Sequence, residues 1–145
     1  MKQNTSVKLF PCSFSGTVKV PPSKSLSHRA LICAALSNGE SHITNFVYSE
    51  DTLATIEALE TLGVKFERKN NEVVVHGIKK IKLKSKKVYC NESGSTIRFL
   101  IPLFSLTEKE IHFVGEPGLM KRPQSIYEKI FKEDNNTFIQ EDDKI

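Results

Sequence analysis

Residues 20–29 read Val-Pro-Pro-Ser-Lys-Ser-Leu-Ser-His-Arg, and they join a β-rich segment, Thr17 to Val20, to an apolar helical pattern. Such a βα junction leaves unpaired backbone N–H groups and a partial positive charge at the start of the helix. Lys24 adds a mobile point charge, and Arg29, one helical turn further on, adds a planar fork that fits two oxygens of one anionic group. The run therefore predicts a helix start that receives phosphate or carboxylate groups.

An ordinary capped helix with a solvated lysine is the competing interpretation of this run. The two prolines favour the anion site, because they fix an extended entry into the helix at a defined angle. Ser25 and Arg29 are four residues apart, so on a helix their side chains share a face. His28 has no matched carboxylate, and we expect it to be a packing or surface residue rather than a base.

Two later runs have the same character. Residues 91–98 read Asn-Glu-Ser-Gly-Ser-Thr-Ile-Arg, and Gly94 lets this helix start approach a ligand without a Cβ. Glu92 would repel an anion there unless a lysine or arginine neutralises it. Residues 115–123 read Gly-Glu-Pro-Gly-Leu-Met-Lys-Arg-Pro, which predicts a loop followed by a helix start with a basic pair; the alternative is a turn with exposed charge.

Hydrophobic spacing and capping residues predict the other elements. In the first half they predict a helix from about Ser25 to Leu36, a strand at Ser41–Phe46, a helix between the caps Ser49 and Gly63, and a hairpin of Val64–Glu67 with Val73–His76 across Lys69-Asn70-Asn71. In the second half they predict a strand from Val88, a helix bent or ended early by Pro102, a strand at Glu110–Val114, a helix with Pro123 at its first position, and a strand at Thr137–Gln140.

The two halves superpose as a tandem repeat. Arg29 matches Arg98 at an offset of 69 positions, and Phe66 matches Phe138 at an offset of 72. Repetition of one supersecondary unit at a fixed period indicates a tandem architecture. The fold class is therefore predicted to be α/β (α+β), built from tandem βαβαββ units.

The repeat also predicts unit boundaries. Residues 18–86 form the first unit, and residues 87–145 form the second. Residues 143–145 align with residues 71–73, which enter the last strand of the first unit. We expect the second unit to stop as its last strand begins, and the chain to be a C-terminally truncated piece of a longer protein, because natural domains seldom leave a strand unpaired.

Composition predicts a soluble globular piece, since the 145 residues are 39% hydrophobic. The chain has 21 Lys+Arg and 17 Asp+Glu, which gives a net charge of +4, and several lysines cluster in residues 79–87. No aromatic residue interrupts that run, so a solvated strand or connecting loop is favoured over a nucleic-acid surface.

Cysteine usage and hydropathy indicate the compartment. Cys12, Cys33 and Cys90 are too few and too scattered for a disulfide framework or a zinc site, which favours a reducing cytoplasm and no metal. No apolar stretch is long enough for a membrane span, and the N-terminus lacks the apolar core of a signal peptide. We therefore expect no membrane association.

The three runs together resemble the 5-enolpyruvylshikimate-3-phosphate (EPSP) synthase family, and residues 21–31, Pro-Pro-Ser-Lys-Ser-Leu-Ser-His-Arg-Ala-Leu, are the most specific part. The resemblance covers nearly the whole chain but only the opening third of a family member. It implies an incomplete enolpyruvyl transferase fold, an inside-out α/β barrel of repeated units in two domains. It also implies that residues 1–17 are normally associated with the other domain.

The resemblance implies transfer of the enolpyruvyl group from phosphoenolpyruvate to the 5-hydroxyl of shikimate 3-phosphate, with release of phosphate and without a cofactor. Lys24 would be catalytic and contact both substrates, Ser25 and Arg29 would hold shikimate 3-phosphate, and Gly94 and Arg122 would bind phosphoenolpyruvate. Several cations suit a reaction that joins two multiply anionic substrates. The family further implies a monomeric parent that acts on small molecules.

Two departures from the family and two alternatives remain. Glu92 stands where the family has asparagine, which alters hydrogen bonding at that corner. The family's general acid and base lie beyond Ile145, so we expect the chain alone to be inactive. A related transferase acting on UDP-N-acetylglucosamine would need a Lys-Asn pair where Lys24-Ser25 stands, and a non-catalytic anion-binding domain is the alternative from another class.

Overall fold

The computed structural model describes residues 6–134, 136–141 and 143–145. These residues form five helices and five strands. In chain order they are α1 (Lys24–Leu36), β1 (Glu40–Thr44), α2 (Glu50–Thr61), β2 (Lys65–Lys69), β3 (Glu72–His76), β4 (Lys87–Tyr89), α3 (Gly94–Ser105), β5 (His112–Val114), α4 (Pro117–Met120) and α5 (Ser125–Glu133).

The first half contains a three-stranded antiparallel sheet in the order β1-β3-β2. The β2–β3 turn is tighter than predicted, because Lys69 pairs with Glu72 and only Asn70 and Asn71 form the loop. Helix α2 begins at the expected cap: Ser49 accepts the Thr52 N–H at 3.3 Å, and the Thr52 hydroxyl accepts the Ser49 N–H at 2.9 Å. This reciprocal capping satisfies two donors that a helix start otherwise leaves unpaired.

In the second half β4 and β5 pair in parallel, and α3 connects them. Lys144 forms an antiparallel bridge with Val114. Phe113 and Ile145 exchange backbone hydrogen bonds of 2.7 and 2.9 Å. Residues 143–145 thus lie against β5 through a single antiparallel bridge, and the strand expected to begin there stays a prediction.

A single hydrophobic cluster runs through both halves, from Leu31 on α1 to Ile145. Helices α1, α2 and α3 contact one another, and Ile56, Ile97 and Leu100 are completely buried between and beneath them. Burial of this shared apolar surface is the main driving force for the arrangement. It brings together the starts of helices from both halves.

Two predicted strands are wrong. Thr17–Val20 forms no ladder, and Val18 and Val20 are 82% and 74% exposed, because β-branched residues favour extended backbone but a strand also needs a partner. Thr137–Gln140 also forms no strand. Its counterpart β2 pairs with five residues of β3, whereas within the described residues Glu141 donates a single backbone hydrogen bond to Lys144.

Two helix predictions also change. The helix expected to open at Pro123 begins at Ser125, and the favoured first position for proline is used instead by Pro117 in α4, within the predicted loop. Pro102 does not end α3, which continues to Ser105. Pro102 has no N–H to donate to the Arg98 carbonyl. That carbonyl accepts a hydrogen bond from the Tyr127 hydroxyl instead.

The lysine-rich run between β3 and β4 is an irregular, largely exposed connection, as favoured from its sequence. Within the described residues, no helix combines the length and the apolar character needed to cross a membrane.

Candidate functional site

The first of the three runs, residues 20–29, leads into α1, which begins at Lys24. Ser23 is the N-cap, and its hydroxyl accepts the Leu26 N–H at 3.4 Å. Ser27 donates its hydroxyl to the Ser23 carbonyl at 3.1 Å, which further fixes the first turn. Lys24 and Ser25 are exposed on this turn, so their side chains and the first backbone N–H groups face solvent.

Lys24 forms an ion pair that its sequence context does not reveal. Its Nζ lies 2.5 Å from Oδ2 of Asp51, in the first turn of α2. Asp51 is only a quarter exposed, so it fixes the lysine stem over the junction of the two helices. Sequence reasoning missed Asp51, because an acidic residue just after a helix cap is already explained by the helix dipole.

Arg29 links the two halves of the chain. Its Nη1 donates to the Ser25 carbonyl at 2.8 Å, and its guanidinium lies over the Phe99 ring of α3, 4.7 Å from the ring centre. Stacking on an aromatic face holds the planar group while leaving N–H donors along its edge. The structure thus brings Ser25 and Arg29 together, and it adds Phe99 as their support.

Gly94 and Arg122 also meet. Gly94 begins α3 after the N-cap Ser93, whose hydroxyl accepts the Thr96 N–H at 3.2 Å. Arg122 Nη1 lies 2.9 Å from the position that a Cβ on Gly94 would occupy. The glycine therefore leaves room for close approach of the guanidinium, which concentrates positive charge at this helix start.

Gln140 holds the turn that carries Arg122. Its amide Nε2 donates to the carbonyls of Met120 and Arg122 at 2.8 and 3.0 Å, and its Oε1 accepts the Gln124 N–H at 3.2 Å. Gln140 thereby contacts backbone groups that lie 16 to 20 positions earlier in the sequence. No local pattern in the sequence identifies Gln140, because its partners are backbone groups that any residue carries.

Two carboxylates border the Gly94 side of the site. Glu92 Oε1 lies 2.8 Å from the position of a Cβ on Gly118, so its carboxylate rests against α4. Glu116 accepts a hydrogen bond from the Tyr89 hydroxyl, which raises the pKa of Tyr89. Within the described part of the chain, Glu92 forms no ion pair that would neutralise it. The repulsion expected from Glu92 therefore persists in the structure.

The helix starts converge on Asp51. Its carboxylate contacts Lys24 of α1, while its backbone carbonyl lies 3.3 Å from the Thr96 hydroxyl of α3. The two runs for which anion binding is predicted, residues 20–29 and 91–98, are thus parts of one surface. Its cations are Arg29, Arg122 and Lys24, the last of which is paired with Asp51. Such an arrangement suits a ligand or ligands with several anionic groups.

Comparison with known proteins identifies the family. Residues 11–134 match the family model described as EPSP synthase (3-phosphoshikimate 1-carboxyvinyltransferase). The chain belongs to the EPSP synthase family. Within that family, the 3-phosphoshikimate 1-carboxyvinyltransferase of Clostridium kluyveri is 51% identical over 126 residues, which are 87% of this chain and 30% of the relative. The Clostridium beijerinckii enzyme of the same name is 49% identical over 135 residues, covering 88% of this chain and 31% of the relative.

Solved EPSP synthases share the fold. An EPSP synthase from Acinetobacter baumannii superposes with a TM-score of 0.74 at 30% identity, over 90% of this chain and 32% of that structure. A second structure of an EPSP synthase from the same organism gives a TM-score of 0.71 at 33% identity. The predicted fold class, an incomplete enolpyruvyl transferase fold, is therefore confirmed. The chain spans about a third of the length of these EPSP synthases.

Proposed function

We propose that this chain supplies the first part of the substrate site of an enzyme that transfers the enolpyruvyl group of phosphoenolpyruvate to the 5-hydroxyl of shikimate 3-phosphate, releasing phosphate. The observation that carries the proposal is the convergence of the Lys24 and Gly94 helix starts on Asp51, with Arg122 against Gly94. Such an arrangement places separate cations at adjacent helix starts, as a site for two anionic substrates requires.

Each proposed role has a geometric basis. Lys24, exposed at the junction of α1 and α2, would contact both substrates. Ser25 and Arg29 would hold shikimate 3-phosphate, since one N–H of Arg29 is used by the Ser25 carbonyl and the others of its five donors remain. Gly94 and Arg122 would bind phosphoenolpyruvate at the start of α3.

The reaction joins two anionic substrates, which explains why most of the proposed binding side chains are cationic. The 5-hydroxyl adds to C2 of phosphoenolpyruvate, and phosphate is then eliminated from the tetrahedral intermediate. Two unit charges of like sign at about 4 Å repel by about 4 kcal/mol at an effective dielectric constant of about 20. Lys24, Arg29 and Arg122 offset that repulsion and orient the two reacting groups, which lowers the entropic part of the barrier.

Titration calorimetry of the chain with phosphoenolpyruvate and with shikimate 3-phosphate tests the binding roles. We expect saturable binding by the wild type, a loss of at least about tenfold in affinity for Lys24→Ala, as for one charge-assisted contact, and no change for the control Lys80→Ala in the exposed connection after β3. Absence of binding by the wild type, or equal loss in both variants, would contradict the proposal.

A phosphate-release assay tests the catalytic part. We propose that the chain alone shows no turnover, and that activity returns when it is mixed with the remaining two thirds of the Clostridium kluyveri relative. Restored turnover that depends on Lys24 supports an enzyme fragment. Binding with no turnover in the mixture would instead favour the non-catalytic anion-binding domain.

We also propose a monomeric parent in the cytoplasm. Cys12, Cys33 and Cys90 are free thiols, as is usual in a reducing compartment. Burial raises the pKa of Cys90 to about 12, so that thiol stays protonated and serves packing rather than chemistry.

A further inference from the structure

A chain of buried hydrogen bonds lies beneath the exposed residues of the candidate site. His28 of α1 is completely buried, and its Nδ1 lies 2.7 Å from the Thr55 hydroxyl of α2. That hydroxyl lies 2.6 Å from the Thr96 hydroxyl of α3, which donates to the Ser93 hydroxyl at 2.7 Å. The chain therefore joins three helices and both halves of the molecule.

One end of this buried chain and its two middle members contact residues of the candidate site. Ser93 is the N-cap of α3 and directly precedes Gly94. The backbone carbonyl of Asp51 lies 3.2 and 3.3 Å from the hydroxyls of Thr55 and Thr96, while its carboxylate holds Lys24. Movement at any link would change the position of one helix start relative to the other.

The presence of histidine here is costly for stability. His28 Nε2 is buried and has no hydrogen-bond partner within the described residues, although Nδ1 is bonded. Burial lowers the pKa of His28, so the ring is neutral. A leucine would fill similar space without an unpaired polar atom, and replacing buried polar partners by apolar groups is often neutral or stabilising. Stability therefore does not explain why this position holds a histidine.

We propose that His28, Thr55 and Thr96 are positioning residues, which fix the start of α3 against the start of α1. Gly94 and Lys24 can then contact their anionic ligands at the same time. The proposal deepens the proposed function and rests on it for the identity of the ligands. A binding constellation must be held to within about 0.5 Å, and hydrogen bonds behind it supply that precision.

The test uses His28→Leu/Thr55→Val, which removes the bonding groups of two neighbouring links and keeps similar volume. We expect the melting temperature to be unchanged or raised, and phosphoenolpyruvate to bind about fivefold more weakly, as for a coupled contact. The matched control is Thr61→Val at the other end of α2, where the hydroxyl bonds only to the Ala58 carbonyl. That control, and Thr55→Ser, which keeps the hydroxyl, should bind as the wild type does.

A measurement without ligand separates this proposal from the proposed function. The Thr96 amide donates to the Ser93 hydroxyl, and three further hydrogen bonds connect that hydroxyl to His28. Hydrogen exchange at Thr96 should accelerate in His28→Leu and not in Thr61→Val. Unchanged exchange at Thr96, or unchanged affinity in the double variant, overturns the positioning role. If the wild type binds no phosphoenolpyruvate, the proposed function fails, and exchange at Thr96 still decides whether the two helix starts are coupled.

Discussion

Single side chains at the helix starts control which charges approach each other. Gly94 leaves room for the Arg122 guanidinium, and Gly118 leaves room for the Glu92 carboxylate. In both cases the atom that a Cβ would meet is the far end of a flexible side chain. A methyl group would therefore move a charge by a small distance without disrupting the backbone.

Gly94→Ala should weaken phosphoenolpyruvate binding with little effect on stability. The new Cβ would lie 2.9 Å from Arg122 Nη1 and displace it, at a cost of about tenfold in affinity for one charge-assisted contact. Alanine is the better helix former, so thermal stability should be kept. Calorimetric titration measures the affinity.

Gly118→Ala is the matched control for this substitution, because its Cβ would displace the carboxylate of Glu92 rather than a cation. We expect no loss of anion affinity there. Equal affinities for Gly94→Ala and the wild type would show that Arg122 does not act through this contact.

Candidate site residues could be recognised from sequence where the signal is local. Lys24, Ser25 and Arg29 lie within six positions, and the glycine of residues 91–98 stands beside its own capping serine. Asp51 could not be recognised in this way, because it meets Lys24 across 27 positions. An ion pair between two exposed turns depends on how two helices pack, which no local pattern encodes.

Among the elements, α3 shows how a tertiary contact replaces a missing helical bond. Pro102 lacks the N–H that would bond to the Arg98 carbonyl, and the Tyr127 hydroxyl of α5 donates to that carbonyl instead. The helix therefore continues through the proline, with Leu103 and Phe104 in the core.

Tyr127→Phe should lower the free energy of unfolding by about 1 kcal/mol, the usual net value of one hydrogen bond. In the Pro102→Ala background the restored N–H can bond to Arg98, so the same change should cost less. Urea unfolding of the two single variants and the double variant measures this coupling. Strict additivity would contradict the compensation.

The antiparallel sheet carries a pH-sensitive cluster on its exposed face. His42 lies within hydrogen-bond distance of Glu72 at 2.5 Å and of Glu40 at 2.8 Å. The hydrogen bonds to Glu72 and then Glu40 raise the pKa of His42, and the bond to His42 lowers the pKa of Glu72. Both groups are partly exposed, so the effect on stability is small.

The signs of these shifts define a pH window. The contribution of His42 is complete below its ordinary pKa of 6.5 and is lost as the pH rises through its raised value. The contribution of Glu72 is complete above its ordinary pKa of 4.5 and is lost as the pH falls through its lowered value. We expect the cluster to stabilise the fold most between these values, and urea midpoints of His42→Gln to lack the decline toward alkaline pH. Parallel curves for wild type and variant would exclude this role.

For the whole molecule, one core spans both halves and is closed by the segment at residues 143–145. Ile145 is 9% exposed and pairs with Phe113, whereas Ile139, six positions earlier, is 62% exposed. The two isoleucines therefore provide a matched comparison of packing in the same part of the chain.

Ile145→Ala should lower the free energy of unfolding by about 2 kcal/mol, at the lower end for a buried isoleucine because the site lies at the border of the core. Ile139→Ala should change it by less than about 0.5 kcal/mol. Urea unfolding followed by circular dichroism measures both. Equal effects would show that residues 143–145 do not complete the core.

Features governed by near neighbours follow from the amino-acid sequence: the capped helices α1 to α3, the β2–β3 hairpin, the repeat, and the helix starts that carry Lys24 and Gly94. Propensity, capping and periodicity act within a few residues, so they can be recognised in one dimension. Folding in three dimensions determined the rest. Thr17–Val20 has β-forming residues but no strand partner, Lys24 meets Asp51, and Gln140 holds the Arg122 turn. These outcomes depend on partners brought together from distant positions by burial of a shared core.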